Sequence, residues 1–162
     1  MDIIHFSGKE ILDMALRIER NGEAFYREAA RQAKDDSLQT LFKFLEEEEK
    51  EHVEDFRELS VLAKEEKITE LYDLDYAEEA SLYLNALADS EVFTDPNAGA
   101  EIVKGIKDDS EAIKIAIGLE KDSILFYYEM LRVVRKEDKR LVESLISQEK
   151  DHVKRLAAWR SA

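Results

Sequence analysis

Apolar side chains recur at steps of three and four residues along four long stretches of the chain, and this spacing predicts four amphipathic helices. Short polar breaks at Asp35–Ser37 and Lys136–Lys139 divide the four stretches into two pairs. Because helices joined by short loops pack antiparallel, each pair predicts a helical hairpin. The first hairpin is predicted at about residues 8–66 and the second at about residues 110–160.

The segment between the hairpins, residues 67–109, has a different pattern. Tyr76–Ser90 has the apolar spacing of a shorter helix, whereas Phe93–Gly99 combines Asp-Pro-Asn with glycine and predicts a turn. We interpret the segment as a long, partly helical crossover; a small lid packed on the side of the bundle is the alternative. With 162 residues the chain has the length of a single domain, which we expect to span residues 1–162.

Ionisable residues lie on the apolar faces of the predicted helices. The second helix carries Glu49 and His52 and the fourth carries Glu149 and His152, in each case as a Glu-x-x-His unit. A spacing of three places the carboxylate and the imidazole on one face of a helix. Such groups are costly to bury unless they are paired or bound to a metal. Two matching units therefore predict one metal site built by two helices.

The two predicted hairpins repeat each other. The first helix aligns with the third at an offset of 101 residues, and the second aligns with the fourth at an offset of 100. Glu19 aligns with Glu120, and each is a lone carboxylate on an apolar face. Two such hairpins pack as a four-helix bundle with approximate two-fold symmetry, so that all the ionisable side chains meet inside it. Four carboxylates and two imidazoles suit a pair of divalent metal ions, with bridging carboxylates and one terminal histidine on each ion.

Composition narrows the possible chemistry. The formal net charge of −14 argues against nucleic-acid binding, which needs a basic surface for phosphate contacts. The absence of cysteine excludes thiolate zinc sites and iron–sulfur clusters. No signal peptide or membrane-spanning apolar run is evident, so we expect a cytoplasmic protein without a membrane partner. Carboxylate-rich sites with some imidazole favour Fe(II) or Mn(II), since zinc prefers tetrahedral sites with fewer ligands, and we expect iron.

With these residues at these positions, the sequence resembles the ferritin-like di-iron carboxylate superfamily, and within it the rubrerythrin-like branch. The resemblance covers both hairpins and implies an all-α, ferritin-like four-helix bundle with two bound metal ions. The ligands that it implies are Glu19, Glu49, His52, Glu120, Glu149 and His152. It also implies that Tyr26 hydrogen-bonds to the carboxylates, with Tyr127 or Tyr128 as its counterpart. For these tyrosines, packing in the core is the alternative role.

Two departures from typical rubrerythrins affect the expected activity. Rubrerythrins usually carry an extra glutamate one turn beyond the third-helix ligand, which the family links to its peroxide chemistry; here that position is Ser123. They also end in a four-cysteine rubredoxin module that supplies electrons to the di-iron site. Since this chain has no cysteine, we expect a separate electron-donor protein, such as a rubredoxin.

The resemblance implies a non-haem di-iron oxidoreductase of oxidative-stress defence that reduces hydrogen peroxide or dioxygen. Two neighbouring Fe(II) ions supply two electrons and become Fe(III), and the external donor then resets them. One alternative is an iron-binding or buffering protein with slow ferroxidase activity. Another is an interaction module in which a metal site serves stability alone. The resemblance also implies a homodimer.

Overall fold

The computed structural model describes residues 8–62, 82, 83, 86, 95, 97–134 and 136–161. Within these ranges, five helices have defined ends and no strand is present. In chain order the helices are α1 (Gly8–Gln32), α2 (Asp36–Leu62), α3 (Ala98–Lys104), α4 (Asp109–Val133) and α5 (Lys139–Ser161). The predicted all-α fold is therefore confirmed. None of these helices is long and apolar enough to cross a membrane.

The two predicted hairpins are present. Helix α1 packs along α2 and α4 packs along α5, while smaller contacts between α1 and α4 and between α2 and α5 join the hairpins. The short helix α3 packs on α1. The predicted crossover therefore ends in a helix that lies against the first hairpin.

Aspartate side chains cap the starts of α2 and α4. The Asp35 carboxylate accepts hydrogen bonds from the backbone N–H groups of Ser37 (2.8 Å) and Leu38 (3.0 Å), and thereby caps α2. Asp108 caps α4 in the same way, accepting from the N–H of Glu111 at 2.8 Å. The Asp109 carboxylate also accepts from the N–H of Asp35 at 2.9 Å, so the start of the second hairpin is bonded to the loop of the first.

The apolar core consists of two clusters, one toward each end of the bundle. The first cluster contains Phe56, Phe126 and Met130, and the second contains Phe42 and Leu156. Helices α1 and α5 enter the first cluster before the second, whereas α2 and α4 enter the second before the first. Since α2 ends at the first cluster and α4 begins at the second, the segment between them must run the length of the bundle. This requirement explains why the crossover is long.

Some predicted boundaries differ from the structure or lie outside its described ranges. The turn predicted at Phe93–Gly99 is too long, because α3 already begins at Ala98. Helix α2 is described as far as Leu62, and most of the helix predicted at Tyr76–Ser90 lies outside the described residues. Its described members, residues 82, 83 and 86, are helical.

Candidate metal centre

The six predicted ligand residues lie at one depth of the bundle, between the two apolar clusters. On each of the four long helices, the ligand positions separate the residues of the first cluster from those of the second. None of the six is more than 4% exposed: Glu19, Glu49, His52, Glu120, Glu149 and His152. A buried layer of this kind must be neutralised by protons or by cations, because isolated buried charges are costly.

The ligand atoms form two overlapping groups, and within each group all lie within 4.8 Å of one another. Glu19 and His52 belong to the first group only, and Glu120 and His152 to the second only. Glu49 and Glu149 belong to both. Two adjacent four-residue groups with two shared carboxylates have the donor arrangement of a two-ion site. The shared glutamates are placed to bridge, and each remaining pair is placed to bind one ion.

Both histidines turn the same ring nitrogen toward the carboxylates. His52 Nδ1 lies 3.1 Å from Glu19 Oε2 and 2.8 Å from Glu149 Oε1. His152 Nδ1 lies 3.0 Å from the other Glu149 oxygen and 3.4 Å from Glu49 Oε1. The two rings are stacked, with centroids 5.5 Å apart and an angle of 15° between their planes. Glu149 therefore lies between the two imidazoles, and Nδ1 is the nitrogen available to a metal.

Two buried tyrosines hold the carboxylates of the opposite hairpin. Tyr26 on α1 donates its hydroxyl hydrogen to Glu120 Oε1 on α4, and Tyr127 on α4 donates to Glu19 Oε1 on α1. Tyr128 is 42% exposed and is contacted by a lysine, so Tyr127 rather than Tyr128 is the counterpart of Tyr26. Burial, together with the nearby Glu120 and Glu49 carboxylates, raises the pKa of Tyr26 well above its usual value. Tyr26 thus remains a hydrogen-bond donor at neutral pH.

The cluster of carboxylates retains protons more strongly than glutamates in water. Burial and neighbouring carboxylates raise the pKa of Glu19 and Glu49 well above the usual value, and raise that of Glu120 to about 8. Burial also raises the pKa of Glu149, but the two adjacent imidazoles outweigh this effect and hold it below the usual value. Glu149 is therefore the carboxylate that is ionised first.

The histidines are held in the protonated form by the same carboxylates. Burial lowers the pKa of His52, but Glu149 and Glu49 outweigh it and raise the pKa to about 9. The pKa of His152 is raised by Glu120, Glu149 and Glu49, again against burial. A divalent cation bound in the cluster would replace these protons and balance the negative charge of the carboxylates.

Unsatisfied polar atoms indicate that the cluster fits metal ions. Among the described residues, both carboxylate oxygens of Glu149 and both ring nitrogens of His152 are buried without a hydrogen-bond partner. Their short mutual distances do not have hydrogen-bond geometry. Buried polar atoms are nearly always hydrogen-bonded, so the three unpaired atoms that face one another in the cluster, His152 Nδ1 and the two Glu149 oxygens, require another partner. Carboxylate oxygens and imidazole nitrogens are the donors that Fe(II) and Mn(II) accept, and the donor set therefore fits a pair of such ions.

One family model and one solved structure match the chain. The family model described as Rubrerythrin matches residues 10–159. The chain belongs to the rubrerythrin family. It is also similar to the crystal structure of a Thermotoga maritima protein described as a ferritin-like diiron-carboxylate protein, with a TM-score of 0.68 and 29% sequence identity. That alignment covers 97% of this chain and 96% of the other, so the fold is ferritin-like, as predicted. No curated protein matches the sequence.

A narrow cleft between α1, α3 and α4 leads to the rubrerythrin-type ligand cluster. Among the ligand residues it is lined by Glu49 and Glu120, and about 20 Å³ is open to a water-sized molecule. This volume has room for about one such molecule. Ser123, the residue in place of the family's extra glutamate, also lines the cleft, and its hydroxyl donates to Leu119 O at 3.1 Å. A water-sized molecule therefore has a route to one side of the cluster.

Helix α3 forms a wall of the cleft because Asn21 binds it to α1. The buried Asn21 side chain accepts a hydrogen bond from the N–H of Gly99 at 3.3 Å and donates to Asp95 O at 3.1 Å. A Cβ atom on Gly99 would lie 1.9 Å from Asn21 O, so only glycine permits this approach. The predicted crossover thus takes part in the site.

Sequence reasoning did not assign Asn21, Gly99 or Ile102 to the site, although all three line the cleft, because their role depends on where α3 docks. The position of Gly22 was a usable signal, since a glycine lay on the apolar face of the first predicted helix. A Cβ atom there would lie 3.0 Å from Glu49 Oε2. Gly22 therefore makes room for a shared carboxylate.

Proposed function

We propose that the protein is a non-haem di-iron oxidoreductase that reduces hydrogen peroxide or dioxygen with electrons from a separate donor protein. The observation that carries the proposal is the pair of buried four-residue groups that share Glu49 and Glu149. Membership of the rubrerythrin family, and similarity to a protein described as diiron-carboxylate, support iron as the metal. Mn(II) suits the same donors and is the second candidate.

Some residues of the cluster would bind the ions, and others would orient the carboxylate ligands. Glu49 and Glu149 would bridge two ions, Glu19 with His52 would complete one position, and Glu120 with His152 would complete the other. When bound, two Fe(II) ions supply the two electrons that reduce hydrogen peroxide, with two protons, to two water molecules. Tyr26 and Tyr127 orient the outer carboxylates through their hydroxyl groups.

The cleft supports a small oxidant as the substrate. Its walls bring Glu49 and Glu120 into reach of a water-sized molecule, while the apolar clusters close both ends of the ligand layer. A substrate much larger than peroxide does not fit this opening. Electrons need no such access, because a donor protein delivers them from outside the bundle.

Turnover tests this proposal. Protein loaded anaerobically with Fe(II) is mixed with hydrogen peroxide and a reduced rubredoxin, and oxidation of the rubredoxin is followed by absorbance. The expected result is repeated turnover that disappears in Glu49→Ala/Glu149→Ala. The matched control Glu47→Ala/Glu143→Ala removes two exposed glutamates from the same two helices and should keep the activity.

Iron buffering with slow ferroxidase activity is the competing function. Ser123 favours it, because the extra glutamate that rubrerythrins link to peroxide chemistry is missing. A single oxidation of bound Fe(II), without repeated use of donor electrons from rubredoxin or a chemical reductant, would support buffering and contradict the oxidoreductase.

A further inference from the structure

The outer ring nitrogens of the two histidines, the Nε2 atoms, face different chemical groups. His52 Nε2 lies 3.3 Å from Gln148 Oε1. The Gln148 amide nitrogen donates to Ser144 O at 3.4 Å, so the amide oxygen is the atom that faces the ring. His152 Nε2 instead faces Glu48 Oε2 at 3.8 Å. One imidazole is therefore backed by a neutral amide and the other by a carboxylate.

This difference breaks the two-fold symmetry of the site at one pair of equivalent positions. Glu48 and Gln148 occupy equivalent places in the repeat, at an offset of 100 residues, and each directly precedes the glutamate of a Glu-x-x-His unit. Each also faces the histidine of the other unit. The ligands themselves and the two buried tyrosines are matched in chemical type, whereas the partners of the outer histidine nitrogens differ between the two halves.

The partner of the outer nitrogen affects how strongly a histidine binds metal. A carboxylate that faces the outer N–H makes the imidazole a stronger donor, and changes to such partners typically alter metal affinity about 10- to 100-fold. At 3.8 Å the contact between Glu48 and His152 is longer than a hydrogen bond and acts through charge. Glu48 also places a negative charge near the ion position that contains His152, whereas the neutral Gln148 places none near the position that contains His52.

The cleft opens on the same side of the cluster. Of its two ligand residues, Glu49 belongs to both groups and Glu120 belongs only to the group that contains His152. An ion that enters through the cleft therefore reaches the His152 position before the His52 position. Donor strength decides which position holds the first ion at equilibrium, whereas the route of entry affects only how fast each position fills.

We propose that Glu48 and Gln148 make the two metal positions unequal, so that the His152 position binds the first divalent ion and the His52 position binds the second. Glu48 and Gln148 act as positioning residues through the histidines that they face. The inference rests on the proposed function only in requiring that both positions bind metal.

Anaerobic titration of metal-free protein with Co(II), followed by calorimetry and visible absorption, tests the inference without any activity measurement. The wild-type protein should bind two ions with affinities that differ about tenfold, the lower end of the range for such partners, because Glu48 acts on His152 through charge alone. Glu48→Gln, which places an amide behind both rings, should bring the two affinities to within about threefold. Gln148→Glu should raise the weaker affinity about tenfold. Glu47→Gln, an exposed glutamate of the same helix, is the control that should change neither.

The order of filling needs a residue-specific signal. In protein labelled with ¹⁵N-histidine, the first equivalent of the diamagnetic ion Zn(II) should shift the ring ¹⁵N resonances of His152, and the second equivalent should shift those of His52. In the exchanged double variant, Glu48→Gln/Gln148→Glu, the order should reverse. Equal wild-type affinities, or an affinity ratio unchanged in Glu48→Gln, would overturn this inference while leaving the metal site intact. If the wild-type protein bound no Co(II) or Fe(II), both this inference and the proposed function would be wrong.

Discussion

At the scale of single residues, the two tyrosines and the glycines explain how charged groups are accommodated in the core. Tyr26 and Tyr127 each satisfy a carboxylate of the other hairpin, and Gly22 leaves space for Glu49. These neighbours position the carboxylates before any ion binds. Substitutions of them should therefore change stability or metal binding.

Removing a tyrosine hydroxyl should destabilise the bundle, because a buried carboxylate oxygen then loses its donor. We expect Tyr26→Phe and Tyr127→Phe each to lower the free energy of unfolding by about 1–3 kcal/mol, measured by urea denaturation of the metal-free protein. Tyr128→Phe on the exposed side of α4 should change it by less than about 0.5 kcal/mol. Equal effects at all three positions would contradict the assigned hydrogen bonds.

Gly22→Ala should weaken metal binding. The added methyl group would lie 3.0 Å from Glu49 Oε2, so this shared carboxylate must shift, and we expect affinity for Mn(II) to fall about tenfold. Gly118→Ala is a matched control in α4, since a Cβ atom there meets nothing within 4 Å. The control should raise stability by about 0.5–1 kcal/mol, as alanine does in helices, with metal affinity unchanged. Unchanged affinity in Gly22→Ala would show that Glu49 does not bind metal where the structure places it.

At the scale of helices, the sequence pattern predicted the four long helices because each has an apolar stripe at helical spacing over many turns. Helix α3 was not predicted as a separate helix, because its seven residues are too few for a reliable period. The docking of α3 depends on a side chain 78 residues away in sequence, Asn21, and no local pattern records such a contact. The part of the site that α3 forms therefore depends on tertiary contacts, which the sequence did not reveal.

Gly99→Ala should detach α3 from α1. A methyl group at this position would overlap Asn21 O, and we expect faster hydrogen exchange of the α3 amides and a loss of about 1–3 kcal/mol of stability. Gly105→Ala at the end of α3 meets only Ile102 O, at 3.7 Å, and should leave exchange in α3 unchanged. Mass spectrometry of the exchanged peptides measures both. Normal protection of α3 in Gly99→Ala would contradict the close approach to Asn21.

At the scale of the whole molecule, the bundle places an ionisable layer between two apolar clusters. The positions of the six residues were predictable from the repeat and the apolar faces. The sequence did not show that each tyrosine bonds to the glutamate of the opposite hairpin, or that Nδ1 is the histidine nitrogen that faces the carboxylates. Both features depend on the three-dimensional arrangement of the helices. The single domain, the homodimer and the separate electron donor remain predictions from the sequence.

The stability of the metal-free protein should fall as the pH rises from about 4.5 to 9. A group whose pKa is raised in the folded state stabilises the fold below its unfolded pKa and loses that contribution as pH rises through the folded value. This applies to Glu120, raised from 4.5 to about 8, and to His52, raised from 6.5 to about 9. The lowered pKa of Glu149 has its effect only below 4.5.

We expect the melting temperature of the metal-free protein to fall by at least about 2–4 °C over this range, which corresponds to about 1 kcal/mol for a chain of this size. With Mn(II) bound, the ligands are already deprotonated, so the melting temperature should change little. Calorimetry of both forms measures the difference. A metal-free protein that becomes more stable toward pH 9 would contradict the assigned pKa shifts.

The central claim is that six buried residues of four helices bind two metal ions, and metal content tests it most directly. The protein and its Glu49→Ala/Glu149→Ala variant are reconstituted anaerobically with Fe(II), freed of unbound metal, and measured by elemental analysis. The structure predicts about two irons per wild-type chain, since two overlapping ligand groups are present, and loss of this iron in the variant. Little iron in the wild-type protein, or two irons retained by the variant, would contradict the account.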